Sequence, residues 1–229
     1  MQNKEPIIIS LGGSMVVPDL PNPSFINKFR DLILGWIENN NKRFFIIVGG
    51  GKTCRRYQDA LSHTIEATTE DLDWIGIYST HLNAQLLRLS FSKKAYHDIV
   101  TDPAVISSIS DNVIVGAGWE PGCSTDMDAV LTAEKLNAKK IINISNIDYI
   151  YDTDPKIHPN AKKFENLTWD EYRSLITFEW KAGLNSPFDP IASKRAQELG
   201  IEVYFISGND LESLENCINN LPFVGTTIK

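Results

Sequence analysis

The chain has 229 residues, 42% of them hydrophobic and 22% charged, with a formal net charge of −7. That length and composition suit one soluble α/β domain over residues 1–229, and the acidic balance argues against a general nucleic-acid binder, which would carry a basic stripe. Cys54, Cys123 and Cys217 are widely spaced with no Cys-x-x-Cys pair, so zinc or disulfide chemistry is not expected and a reducing compartment is. Met1 to Pro6 leads directly into a strand-like run and no apolar segment approaches membrane-spanning length, which reads as a cytoplasmic protein without a membrane partner.

Ile7 to Leu11 is a short β-branched run that ends at Gly12-Gly13-Ser14, a strand entering a glycine turn. After the proline-rich Pro18 to Pro23, Ser24 is placed to cap a helix whose Phe25, Phe29, Leu32, Ile33, Trp36 and Ile37 fall on one face. The run Asn39 to Asn41 ends it. A second apolar run, Phe44 to Val48, stops at Gly49-Gly50-Gly51 and is followed by Lys52-Thr53-Cys54-Arg55-Arg56-Tyr57. Strand, helix, strand implies a parallel crossover. Glycines let backbone N–H groups approach an anion, and the helix that follows adds unpaired N–H donors and the Arg55 fork. This is not a Walker A loop, because that motif needs a glycine where Ile46 stands. Two strand-to-glycine turns suggest two phosphate groups.

From Asp71 the pattern is helical, with Ile75, Tyr78, Leu82, Leu86 and Leu89 on one stripe, read as a long core helix with Asp73 near its positive end. Val113 to Val115 is the next strand. It opens into Gly116-Ala117-Gly118-Trp119-Glu120-Pro121-Gly122-Cys123-Ser124-Thr125-Asp126, where backbone N–H groups and the Ser124 and Thr125 hydroxyls meet a helix N-terminus. Either hydroxyl equally suits an N-cap. Lys140 to Ile144 is a strand leading to Ser145-Asn146 and three acids through Asp154, but an EF-hand loop is ruled out by the missing central glycine and terminal glutamate. The four histidines show no metal-ligand spacing.

Thr168 and Glu171 make a capping box, Lys181 to Pro187 reads as an exposed loop, and Asp189-Pro190 caps a helix stopped by Gly200. Val203 to Ile206 is a strand. Leu211, Leu214, Ile218 and Leu221 line a last helix, and Gly225 to Ile228 a last strand.

Taken together these pieces resemble the amino-acid-kinase superfamily, and within it the archaeal type of uridylate (UMP) kinase, nearly end to end. The resemblance rests on Gly12-Gly13-Ser14 with Val17-Pro18, Val48 to Lys52 with Arg55 and Tyr57, Asp73 to Ile77, Pro121-Gly122 with Ser124-Thr125-Asp126, Asn146-Ile147-Asp148 with Tyr151 and Asp154-Pro155-Lys156, Ala182-Gly183, Asp189-Pro190 with Ala192, and Gly225 to Ile228. It implies a three-layer αβα sandwich with a central, mostly parallel sheet, and transfer of the ATP γ-phosphoryl group to UMP with Mg²⁺, in a homohexamer built from dimers. By position, Gly13, Ser14, Gly51 and Arg55 would hold ATP phosphates and Ser145, Asn146, Tyr151 and Asp154 its nucleoside end. Gly50, Asp73 and the loop Trp119, Glu120, Pro121, Gly122, Cys123, Ser124, Thr125 would hold UMP.

No general base is needed, since a phosphate monoester with a second pKa of about 6 is already a nucleophile at neutral pH. Lys52 and Arg55 are the candidate cations, and Asp126 and Asp189 the candidates for orienting magnesium or backbone donors, with capping as their competing role. Against the family pattern, Ser10 stands where many members carry a first-strand lysine, Ser145 replaces a threonine, Ala117 interrupts a glycine pair, and Trp119 and Cys123 are bulkier or less polar than usual. Two other readings share these residues: a kinase for another small phosphate such as isopentenyl phosphate, and a non-catalytic oxyanion- or nucleotide-binding protein.

Overall fold

The computed structural model describes residues 6–40, 42–155, 157–176 and 186–229. Lys156, Ala182-Gly183 and most of the expected loop from Lys181 to Pro187 lie outside them.

Five strands run parallel: β1 (Pro6–Leu11), β2 (Arg43–Val48), β3 (Val113–Gly116), β4 (Lys140–Ser145) and β8 (Glu202–Ser207). With β9 (Thr226–Ile228) and β7 (Asn166–Leu167) they make a seven-stranded sheet in the order β3-β2-β1-β4-β8-β9-β7. β9 is antiparallel to β8 and parallel to β7. A separate hairpin pairs β5 (Ile150–Tyr151) with β6 (Lys163–Phe164). Two-residue strands carry no periodic signal, which is why β5, β6 and β7 are invisible in the sequence.

Alternation along buried parallel strands divides the core between two faces. Ile7, Ile9 and Leu11 stand in register with Phe44, Ile46 and Val48 and pack under α2 (Pro23–Asn40), α4 (Thr69–Ser90) and α8 (Leu211–Ile218). Ile8, Phe45, Ile114, Ile141 and Val203 face the other way, onto α5 (Thr125–Lys135), α6 (Trp169–Leu175) and α7 (Pro190–Glu198). The result is the expected three-layer αβα sandwich. Helix α3 (Gly51–Ser62) lies outside the core with no buried residue, leaning on α4 through Gln58 Nε2, which donates to Leu72 O at 2.9 Å. The remaining helix, α1 (Gly13–Val16), is a single turn after β1.

Two helix starts differ from expectation. Pro23 takes the first helical position of α2, so Ser24 lies inside it and the cap is Asn22, whose Oδ1 accepts from Phe25 N at 3.2 Å. Thr68 and Asp71 form a capping box that starts α4 at Thr69. The larger correction concerns which face of α4 is buried. Tyr78 and Leu82 are 64% and 65% exposed, Trp74, Leu86 and Leu89 are exposed with them, and the core contact comes from Ile77, Ala84 and Leu87. Thr80 and Asn83 are buried on the core side because backbone groups of two loops satisfy them, a fact that hydrophobic periodicity does not register.

The segment that enters α7 is held by Tyr172, whose hydroxyl accepts from Phe188 N at 2.8 Å and donates to Phe188 O at 2.6 Å. Burial drives its phenol to titrate well above the usual range. Ser186 also donates to Phe188 O, so Tyr172→Phe orphans the Phe188 N–H alone. The expected cost is about 1–3 kcal/mol of stability by chemical denaturation, and an unchanged midpoint would remove Tyr172 from that role.

Candidate active site

The glycine turns lie at the carboxyl ends of neighbouring parallel strands, the usual position for ligands in open α/β sheets. Gly12 N donates to Ile144 O at 2.8 Å and Gly49 N to Leu11 O at 2.9 Å, so the loops after β1, β2 and β4 are pinned side by side. They are in backbone contact. A Cβ on Gly13 would stand 2.2 Å from Gly49 O and 2.3 Å from Gly51 N, and one on Gly51, at φ +63°, would stand 2.6 Å from the Gly13 carbonyl carbon. Only glycine fits either position. The third loop joins at the same point, with Thr125 Oγ1 3.6 Å from where a Gly49 Cβ would be. Gly13, Ser14, Gly50, Gly51 and Thr125 are therefore brought together, and Ser145 adjoins Gly12.

The Trp119–Ser124 loop is tied at several places. Gly122, at φ +80°, donates its N–H to Asp73 Oδ2 at 2.8 Å. Ser124 is the cap of α5, accepting from Met127 N at 3.1 Å. The Cys123 thiol donates to Asp128 Oδ1 at 3.2 Å, and burial pushes that thiol far up, so it is not a reactive thiolate. Glu120 and Gly122 are exposed, whereas Trp119, Pro121, Cys123, Ser124 and Thr125 are half-buried.

Asp126 does not cap. Its Oδ1 accepts from Ser10 Oγ at 2.8 Å and Asn143 Nδ2 at 3.2 Å, and its Oδ2 from Asp189 N at 3.0 Å. Burial pushes its carboxyl up to about 7 against the pull of the Ser10 hydroxyl and the Asp189 amide. Ser10 thus serves this acid with a neutral hydroxyl at the strand position where a lysine would have brought charge. Asp189 does cap α7, with Oδ1 accepting from Ala192 N at 2.7 Å, while its buried Oδ2 has no hydrogen-bond partner and burial raises its pKa.

The cations lie at the start of α3. Lys52 Nζ is 3.7 Å from Asp19 Oδ1, and Arg56 pairs with the same carboxylate. Arg55 is exposed and makes no ion pair among the described residues. Further along, Tyr151 donates to Asp148 Oδ1 at 3.0 Å, and the Asp154 carbonyl accepts from Ile157 and His158. Sequence reasoning missed Thr80, Asn83, Asn143 and Asp128. The available signal was their polarity at positions that otherwise face the core.

The stacked αβα fold and its interlocked glycine turns define a phosphate-binding enzyme scaffold, and a family model confirms the class: residues 5–207 match the amino acid kinase family, to which the chain belongs. Within that family it is 35% identical over 225 residues to the uridylate kinase of Methanospirillum hungatei, covering 97% of this chain and 94% of that one. It is 34% identical to the uridylate kinase of Pyrococcus abyssi, over 97% and 99% of the two chains. The solved uridylate kinase of Archaeoglobus fulgidus superposes with a TM-score of 0.81 at 30% identity, over 97% of this chain and all of that one. UMP kinase from Bacillus anthracis, at 16% identity and a TM-score of 0.78, shares the fold.

Asp128 is 1% exposed, its Oδ2 has no partner, and burial pushes its carboxyl up to about 7. An acid whose folded pKa stands above its unfolded value takes up a proton on folding. Its contribution to stability is therefore lost as pH rises from about 4 to about 7. Asp128→Asn removes that loss, so its melting temperature should gain on wild type by roughly 5 °C or more between pH 5 and pH 7.5. Melting curves that keep a constant offset across that range would show that Asp128 does not fold as the acid.

Proposed function

We propose that the chain is a UMP kinase, transferring the γ-phosphoryl group of ATP to UMP to give UDP and ADP, as in cytoplasmic pyrimidine nucleotide supply. The observation that supports this reading is the convergence on Gly49 of three loop-to-helix turns: the turn at Gly13, the start of α3 at Gly51, and the start of α5 at Thr125. Two polyanions that must meet in line need such a place, where N–H groups are fixed before the substrates arrive.

Gly13, Ser14, Gly51 and Arg55 hold the ATP phosphates, and Ser145, Asn146, Tyr151 and Asp154 the nucleoside end. Gly50 and the Trp119–Thr125 loop hold UMP. Asp73 contributes twice, since Oδ2 receives the Gly122 amide and Oδ1 is left for a ribose hydroxyl. The UMP phosphate, with a second pKa of about 6, attacks without a base. Lys52 and Arg55 offset the charge that accumulates between donor and acceptor. The Lys52–Asp19 contact is long and exposed, so a nucleotide phosphate readily takes its place.

Magnesium suits the residues present. Asp189 Oδ2 is a buried carboxylate oxygen without a partner, and no group of three possible ligands gathers among the described residues. That is the donor set of an ion held mainly by nucleotide phosphates and water with one protein carboxylate, as Mg²⁺ prefers. When bound it neutralises phosphate charge; Asp189 is the residue that would hold it.

A coupled ADP-release assay across nucleoside monophosphates and isopentenyl phosphate tests the reading, with UMP-selective turnover expected. Turnover only on another acceptor, or nucleotide binding without turnover, would replace it. In the same assay a folded Arg55→Ala variant should lose about tenfold or more in kcat/KM, the value of a charge-assisted phosphate contact.

The homo-oligomer belongs to this proposal, with a homohexamer built from dimers as its form. The apolar residues of α2 are spent on the core, and the exposed row Trp74, Tyr78, Leu82, Leu86 and Leu89 on α4 supplies a self-complementary face for a second copy. Leu82→Lys should therefore yield smaller species in sedimentation velocity at equal concentration, and an unchanged distribution would move the interface elsewhere.

A further inference from the structure

Helix α4 touches both glycine-rich loops of the site through side chains that no sequence motif marks. Asn83, 2% exposed, donates through Nδ2 to Gly49 O at 2.9 Å and Gly50 O at 3.0 Å. Thr80, 6% exposed and one turn earlier, accepts the Gly118 N–H at 2.8 Å and donates its own hydroxyl to Ile77 O at 2.7 Å. His81 Nε2 lies 2.9 Å from Gly118 O. A carbonyl only accepts, so that nitrogen carries the proton.

These contacts set the direction of peptide planes. In a trans peptide the C=O of one residue and the N–H of the next point to opposite sides. Drawing the Gly49 and Gly50 carbonyls onto Asn83 therefore turns the N–H groups of Gly50 and Gly51 away from α4, free to meet anions. Gly118 is held at both its N–H and its C=O, which fixes the root of the loop that carries Gly122 and Ser124. Neither contact is local: Asn83 reaches back 34 and 33 residues, and Thr80 forward 38. A helix residue that only needed its own polar atoms satisfied would bond within its own turn, as Ser79 does with Ile75 O.

We propose that Asn83 and Thr80 are positioning residues for phosphoryl transfer, Asn83 for the Gly49–Gly51 turn that serves donor and acceptor alike, and Thr80 for the acceptor loop alone. Neither touches substrate; both act by aiming backbone donors. The proposal rests on the ATP and UMP sites assigned in the preceding section.

The test is calorimetric titration of the folded full chain with a non-hydrolysable ATP analogue and, separately, with UMP, alongside melting temperatures. Asn83→Ala should weaken both nucleotides by about tenfold or more, the consequence of leaving the Gly49 carbonyl without its buried donor and the Gly50 carbonyl with the Cys54 N–H alone. Thr80→Val keeps the shape and removes the acceptor. It should weaken UMP to a similar degree and leave the ATP analogue within about twofold, with Thr80→Ser restoring UMP affinity. Variants that melt earlier but bind both nucleotides as wild type does would show a purely structural role and overturn the proposal. So would a Thr80→Val that weakens both alike. If Asn83→Ala does not fold, the Thr80 pair decides alone. A wild-type chain that binds neither nucleotide defeats the functional reading and this proposal with it, whereas wild-type binding with unchanged variants defeats the proposal only.

Discussion

The contact between Gly13 and Gly51 is the constraint on which the site depends. The strands β1 and β2 are hydrogen-bonded neighbours in exact register, Leu11 beside Val48, so the loops that leave them are forced into the same small volume. Both must also begin a helix there. A Cβ on Gly13 would stand 2.2 Å, and one on Gly51 2.6 Å, from backbone atoms of the other turn, and the two helix starts would have to separate. Removing those side chains lets the two turns meet backbone to backbone, and in the proposed function N–H groups held rigid there in advance stabilise developing charge without reorganisation.

What surrounds that point is chiefly neutral or acidic, which is unusual for a place proposed to receive two polyanions. Asp126 and Asp128 lie in the first turn of α5, Asp126 accepts from Asp189 N, and the first-strand position that brings a lysine in many relatives of the fold holds Ser10 instead. Burial keeps the Asp126 and Asp128 carboxyls poorly ionised below about neutral pH. Their repulsion toward incoming phosphate is thereby reduced. In the proposed reaction the positive contribution falls to backbone dipoles, to side chains at the exposed start of α3, and to a cation brought with the nucleotide.

Helix α4 connects these local facts to the whole molecule. Its inner side carries Ile77, Ala84 and Leu87 into the core and Thr80 and Asn83 to the loops, Asp73 and His81 bond the same loops, and the outer side presents an apolar row. A single helix therefore contacts the Gly49–Gly50 turn, the loop from Gly118 to Gly122 and the outer surface at once.

The sequence by itself determined the strand runs, their glycine endings, the caps at Thr168 and Asp189, and the family resemblance. Each of these is a local pattern: a β-branched run, a missing side chain, a hydroxyl three residues before a carboxylate. Only the tertiary structure decided which side of α4 is buried, that Asp126 answers Ser10 and Asn143 instead of capping its helix, and that Asn83 and Thr80 hold loops more than thirty residues away. The reason is physical. A polar side chain is buried when some distant backbone group satisfies it, and which group that will be is fixed by how the strands pack side by side, not by the spacing of residues along the chain.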